Sequence, residues 1–136
     1  MTKLPIDEDL LGLLQSLPSP KVIGIVGSRR RNGEKDYQKC FELFRRIYNP
    51  GDSLVSGGCS KGGDRFAQSF ARQLGLTITI HYPNWEAEPK TAGFSRNTNI
   101  ANDCHVLIAV VAEDRTGGTE DTIKKVLGQK KPVLYC

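Results

Sequence analysis

Three short stretches of the chain carry residue types that could hold an anion. They are Gly27-Ser28-Arg29 with Arg30 behind it, Ser56 to Asp64 (SGGCSKGGD), and Thr116 to Thr119 (TGGT). Ordered glycine costs backbone entropy, so Gly57, Gly58, Gly62 and Gly63, four within seven residues, need a reason. Close approach supplies one, because a turn without side chains brings bare backbone N–H groups up to a ligand. Two of the turns lead into a helical pattern. The first turn of a helix carries unpaired N–H donors and partial positive charge, a natural seat for phosphate. Arg96, within Ser95–Asn99 (SRNTN), adds a guanidinium whose planar fork fits phosphate or carboxylate, with Asn97 beside it.

Other residues admit two readings each. Asp64 stands where a helix should begin, so its carboxylate either caps the backbone or accepts a bond from a ligand hydroxyl. Trp85, the sole tryptophan, stacks on a base or plugs the edge of the core. The four cysteines, Cys40, Cys59, Cys104 and Cys136, form no C-x-x-C pair, and neither His81 nor His105 has a partner four residues on. They read as small buried thiols rather than ligands, and no metal or resident cofactor is expected. The stretch GIVGSRR lacks the G-x-G-x-x-G spacing, and the second apolar run ends in Ser56 rather than an acid that would hold a ribose. A G-x-x-x-x-G-K-[ST] loop is also absent, which argues against both a dinucleotide dehydrogenase and a P-loop ATPase.

The elements that must position these residues can be read from periodicity. Val22–Val26, Ser53–Ser56, Leu76–Tyr82 (LTITIHY), Cys104–Ala112 (CHVLIAVVA) and Lys131–Cys136 (KPVLYC from Lys131) are short apolar runs that suit buried strands. Between them, Glu34–Tyr48 carries Phe41, Phe44 and Ile47 at helical spacing and stops at Asn49-Pro50-Gly51. Gly63–Leu74 places Phe66, Ala67, Phe70, Ala71 and Leu74 on one helical face and ends at Gly75. Phe94–Asn102 and the stretch after Gly118 complete the helices. Strand and helix alternate, which predicts an α/β fold: a parallel sheet of about five strands with helices on both faces, a three-layer sandwich. All three glycine turns then fall on one edge of the sheet, at the carboxyl ends of the strands, where such folds hold ligands.

The 136 residues suffice for one domain, with residues 1–20 as a lead-in helix broken by Pro18 and Pro20, and 21–136 as the domain. Apolar residues make up 38% and charged ones 25%, and the longest apolar runs are too short to span a bilayer. With no secretory leader apparent, a cytoplasmic location and no membrane partner are expected. The net charge of +4 suits an anionic partner, yet only Ser28–Asn32 (SRRRN) clusters positive charge.

Taken together, these segments resemble the SLOG superfamily of Rossmann-like proteins over about residues 21–136. That group contains the LOG phosphoribohydrolases, the DNA-processing protein A (DprA) family and small standalone bacterial and phage proteins. VIGIVGSR looks like its first strand and turn, and LVSGGCSKGGDRFAQSFARQLG looks like its most specific segment. FSRNTNIANDCHVLIAV and TGGTEDTIKKVLGQKKPV resemble its arginine-bearing and Gly-Thr segments. The resemblance implies a nucleotide-type ligand across Gly27–Arg29, Ser56–Asp64, Arg96–Asn97 and Gly117–Thr119. LOG enzymes use an arginine, matched by Arg96, and a glutamate three residues after the Gly-Thr pair, where this chain has Thr122. Thr116 replaces the proline before the two glycines.

The leading expectation is therefore a module that binds a nucleotide or nucleotide-derived small molecule. A nucleoside 5′-monophosphate N-glycosidase, with Asp64 or Glu120 as the carboxylate, is the alternative. Single-stranded nucleic-acid binding of the DprA kind is the third reading, supported by the SRRRN cluster. Homo-oligomers are common for this fold group, and a homodimer is the expectation.

Overall fold

The computed structural model describes Gly12 and residues 15–136. The lead-in helix falls mostly on residues outside that set. Five strands form a single parallel sheet: β1 (Val22–Gly27), β2 (Ser53–Gly57), β3 (Ile78–His81), β4 (Val106–Val110) and β5 (Val133–Tyr135), in the order β3-β2-β1-β4-β5. Four helices connect them: α1 (Glu34–Ile47), α2 (Gly63–Leu74), α3 (Ala92–Asp103) and α4 (Gly118–Gly128). The expected three-layer α/β architecture is what the chain adopts.

Alternation along the strands sorts side chains into two cores. Ile23, Ile25, Leu54, Val106 and Ile108 point to the face covered by α1 and α2. There Phe44 stacks on Phe70 with ring centroids 5.2 Å apart, and Tyr37 meets Phe66 edge-on at 5.4 Å. Val26, Val55, Leu107 and Ala109 point to the other face, where Ile100 of α3 and Ile123 and Val126 of α4 close over them. All five residues of β4 are buried, as a strand covered on both faces requires.

This distribution follows from chain handedness. Parallel crossovers are right-handed, so α1 and α2 share a face while the chain steps outward from β1 to β3. Helix α3 then returns over the opposite face and lays β4 beside β1, with Ile23 opposite Val106 and Gly27 opposite Val110. The winding reverses between β1 and β4. That reversal opens a crevice at their carboxyl ends.

The amino edge of the sheet is pinned by a buried ion pair. Lys21 Nζ lies 2.6 Å from Asp52 Oδ2, and Asp52 also accepts the N–H groups of Lys21 and Asn49, each at 2.9 Å. Boundaries differ modestly from the sequence reading. The fourth strand begins at Val106 because Cys104 caps α3, its N–H bonded to Ile100 O at 3.1 Å. The third spans Ile78–His81 rather than Leu76–Tyr82. Leu74, expected on the buried face of its helix, is exposed, because it belongs to the last turn before the left-handed Gly75 (φ +67°).

Candidate ligand-binding cleft

A cleft of about 370 Å3 lies at the carboxyl ends of β1 and β4. Its first wall is the turn after β1. Ser28 N–H donates to Val110 O at 2.9 Å, carrying the β1–β4 ladder into the turn and holding Gly27, Ser28 and Arg29 along the opening. Arg30 crosses to the turn after β4, forking onto Asp114 at 2.7 and 2.8 Å and reaching Thr116 Oγ1 at 2.9 Å. The arginine holds the Asp114 carboxyl well below the usual carboxylate range. Arg31 is tied to Asp36 at 3.0 Å and to the carbonyls of Val111 and Cys136. Of the basic cluster, only Arg29 makes no ion pair among the described residues.

The second wall is the turn after β2, and here the glycines have a different use from the expected one. A Cβ on Gly63 would lie 2.3 Å from Val26 C and 2.4 Å from Gly27 N, so α2 butts directly onto the end of β1. Gly62 has φ +74°, and its Cβ would meet Ser28 O at 2.4 Å; its N–H is taken by Asn32 Oδ1 at 2.8 Å. A Cβ on Gly57 would come within 2.5 Å of Arg96 Nη1 and 2.7 Å of Asp64 Oδ2. Ser56, Gly57, Gly58, Gly62 and Gly63 therefore stand behind the lining rather than on it. From this turn Asp64 and Cys59 reach the cleft. The Gly62 N–H is thus committed to Asn32, whereas Gly117, Gly118 and Thr119 at the start of α4 lie on the lining.

Asp64 does not cap its own helix. Its Oδ2 accepts the Cys59 N–H at 3.1 Å, and its Oδ1 lies 3.0 Å from Ser56 Oγ, which also bonds Ile25 O. Burial pushes the Asp64 carboxyl above its ordinary value, opposed by the Cys59 N–H, the Ser56 hydroxyl and the charge of Arg96. One serine proton can serve only one of its two neighbours. Ser56 Oγ is accordingly shared between the Asp64 carboxylate and Ile25 O. Arg65 points away, its Nε donating to Asn32 Oδ1 at 2.8 Å.

The third wall joins α3 to α4. Arg96 Nε donates to Asn97 Oδ1 at 2.9 Å, and Asn97 Nδ2 donates to Asp121 Oδ2 at 3.1 Å. Asp121 is already paired with Lys125 at 2.8 Å, so the asparagine positions the arginine without neutralising it. Arg96 makes no ion pair among the described residues and lies on the cleft lining, its charge acting on Asp64. Opposite, Gly117 (φ +109°), Gly118 and Thr119 open α4 toward the same space, with buried Thr122 one turn in. Glu120 is pulled away by Arg115 at 2.9 Å. Among the described residues, Asp64 is the one carboxylate on the lining. Arg29 and Arg96 outnumber it, which makes the cleft electropositive.

The structure thus gathers Gly27, Ser28, Arg29, Asp64, Arg96, Asn97, Gly117, Gly118 and Thr119 around one cavity. Sequence reasoning overlooked Arg30 and Cys59 as lining residues. Arg30 was visible only as part of a basic run, since its acid stands 84 positions away on the neighbouring turn. Trp85 is exposed and lies off the lining. Among the described residues no three His, Cys, Asp or Glu side chains gather as a metal site would need. No described helix is long and apolar enough to cross a membrane.

No family model matches the chain, and no curated protein does either. Among solved structures, the molybdenum cofactor carrier protein from Chlamydomonas reinhardtii is similar, with a TM-score of 0.63 at 23% identity. The similarity covers 85% of this chain and 75% of that one. At this identity the likeness concerns the fold, a Rossmann-like parallel sheet.

Proposed function

We propose that the cleft binds a nucleotide or nucleotide-derived small molecule through its phosphate, and that the chain is a binding module of SLOG type rather than a hydrolase. The observation that carries this reading is Arg96: positioned by Asn97, in no ion pair among the described residues, and on the same lining as the open amino end of α4. A phosphate placed there would accept the guanidinium fork and the N–H groups of Gly118 and Thr119, while Ser28 and Arg29 approach from the other wall. The similar fold of a molybdenum cofactor carrier supports a scaffold suited to holding a small cofactor-like ligand.

N-glycosidic hydrolysis needs a carboxylate near the anomeric carbon. Thr122 occupies the matching position, Glu120 and Asp121 are committed to Arg115 and Lys125, and the Asp64 carboxyl is engaged by the Ser56 hydroxyl and the Cys59 N–H. The expected outcome with any 5′-monophosphate is therefore binding without release of free base. Nucleic-acid binding loses support because two of the three arginines in the basic cluster are engaged internally.

Melting temperatures test the reading. A ligand at about 100 times its dissociation constant adds roughly 2.7 kcal/mol, a shift of several degrees for a domain of this size. A panel of nucleoside monophosphates, dinucleotides, cyclic nucleotides and a short single-stranded oligonucleotide is expected to shift the wild type with one small-molecule class and to leave Arg96→Ala flat. Silence across the panel, or equal shifts in both proteins, would refute it.

A further inference from the structure

Two large aromatic side chains are left open at the far end of the same sheet edge. The β2–β3 register sets Gly57 opposite His81, which brings Tyr82 alongside Gly58. A Cβ on Gly58 would fall 2.1 Å from two atoms of the Tyr82 ring, so the ring rests directly on the backbone of the turn. It is nonetheless 66% exposed, and it makes no hydrogen bond or ring contact among the described residues. Trp85, 57% exposed, has Cη2 only 3.7 Å from where a Gly93 Cβ would stand. Gly93 precedes Arg96 by three residues and so shares its face of α3. Tyr82 and Arg96 thus sit over consecutive residues of one turn, Gly58 and Gly57, and Trp85 stands over Gly93 on the helix that carries Arg96.

The placement fits a ligand with an anion at one end and a flat ring at the other. Neighbouring strands lie about 4.8 Å apart, so the end of β3 is roughly 10 Å from the end of β1. An ester whose phosphate occupies the β1–β4 crevice would pass Asp64 and deliver its ring to Tyr82. Resting on the reading of the cleft as a phosphate site, we infer that its ligand is a heteroaromatic phosphate ester, with Tyr82 as the platform on which the ring stacks and Trp85 beside it. Offset stacking on an exposed tyrosine, pre-seated by its glycine, would make Tyr82 a specificity-determining residue.

The test titrates wild-type protein with ribose 5-phosphate, with purine and pyrimidine nucleoside 5′-monophosphates and with flavin mononucleotide. Affinity is read by calorimetry and ring contact by the fluorescence of Trp85, the sole tryptophan. At least one ring-bearing ester is expected to bind about tenfold more tightly than ribose 5-phosphate, within the range of base–aromatic stacking, and to quench Trp85. Tyr82→Ala is expected to lose that advantage while keeping ribose 5-phosphate binding, and Tyr82→Phe to keep both. If ribose 5-phosphate binds but no ring adds affinity, or if Tyr82→Ala retains the advantage, the platform is wrong and the phosphate site stands. If no compound binds, the phosphate site falls and the platform with it.

Discussion

Gly57 holds the site open by lacking a side chain. A methyl group there would displace the Arg96 guanidinium, the far end of a flexible side chain, and press on Asp64. Gly57→Ala is accordingly expected to keep the fold while weakening phosphate-ester binding about tenfold, measured by calorimetry alongside a melting curve. Asp64 gives a prediction of different sign from most carboxylates. Burial raises its folded-state value above the ordinary 3.8, so the folded protein binds its proton more tightly than the unfolded chain does. Its contribution to stability is present below the unfolded value and fades as pH climbs through the folded one. Asp64→Asn, which keeps an acceptor for the Cys59 N–H and a donor for Ser56, should remove that decline. Melting curves of the two proteins compared from pH 4 to 8 should converge in acid and separate above it, with the variant higher. Parallel curves would contradict the upward shift at Asp64.

At the scale of elements, the same residue type serves opposite ends. Gly63 meets backbone atoms of Val26 and Gly27, which have no freedom to yield, so Gly63→Ala forces α2 off the end of β1. A loss of about 3 kcal/mol or more is expected in denaturant titrations, where Gly57→Ala costs little. Asp52 is the second element-level anchor. Removing it leaves the Lys21 ammonium buried and unpaired, and Asp52→Ala should cost about 3 kcal/mol, near ten degrees in melting temperature. The alternation of strands and helices was readable because the elements are short and periodic, and several are closed by glycine or proline. The division of labour among the glycines was not readable. Spacing alone cannot separate a glycine that faces a ligand from one that faces a strand, since both demand the same missing side chain. Only the packing of α2 on β1 told Gly62 and Gly63 from Gly117 and Gly118.

For the whole molecule, charge is decided by pairing rather than by count. The basic run Arg29–Arg31 looked like a nucleic-acid patch in the sequence, yet Arg30 fastens the cleft walls through Asp114 and Arg31 fastens the turn to Asp36 and to Cys136, just past β5. Those partners lie on other elements, so the sequence could suggest the positive charge but not where it is spent. Among the described residues a crevice stays open at the winding reversal, with Arg96 in no ion pair on its wall. The most direct measurement is a calorimetric titration of wild type, Gly57→Ala and Arg96→Ala with the nucleoside 5′-monophosphates. A saturable one-to-one isotherm for the wild type with at least one of them, weakened tenfold or more in both variants, is the expected result. No heat from the wild type, or the same affinity in all three proteins, would contradict the assignment of this cleft.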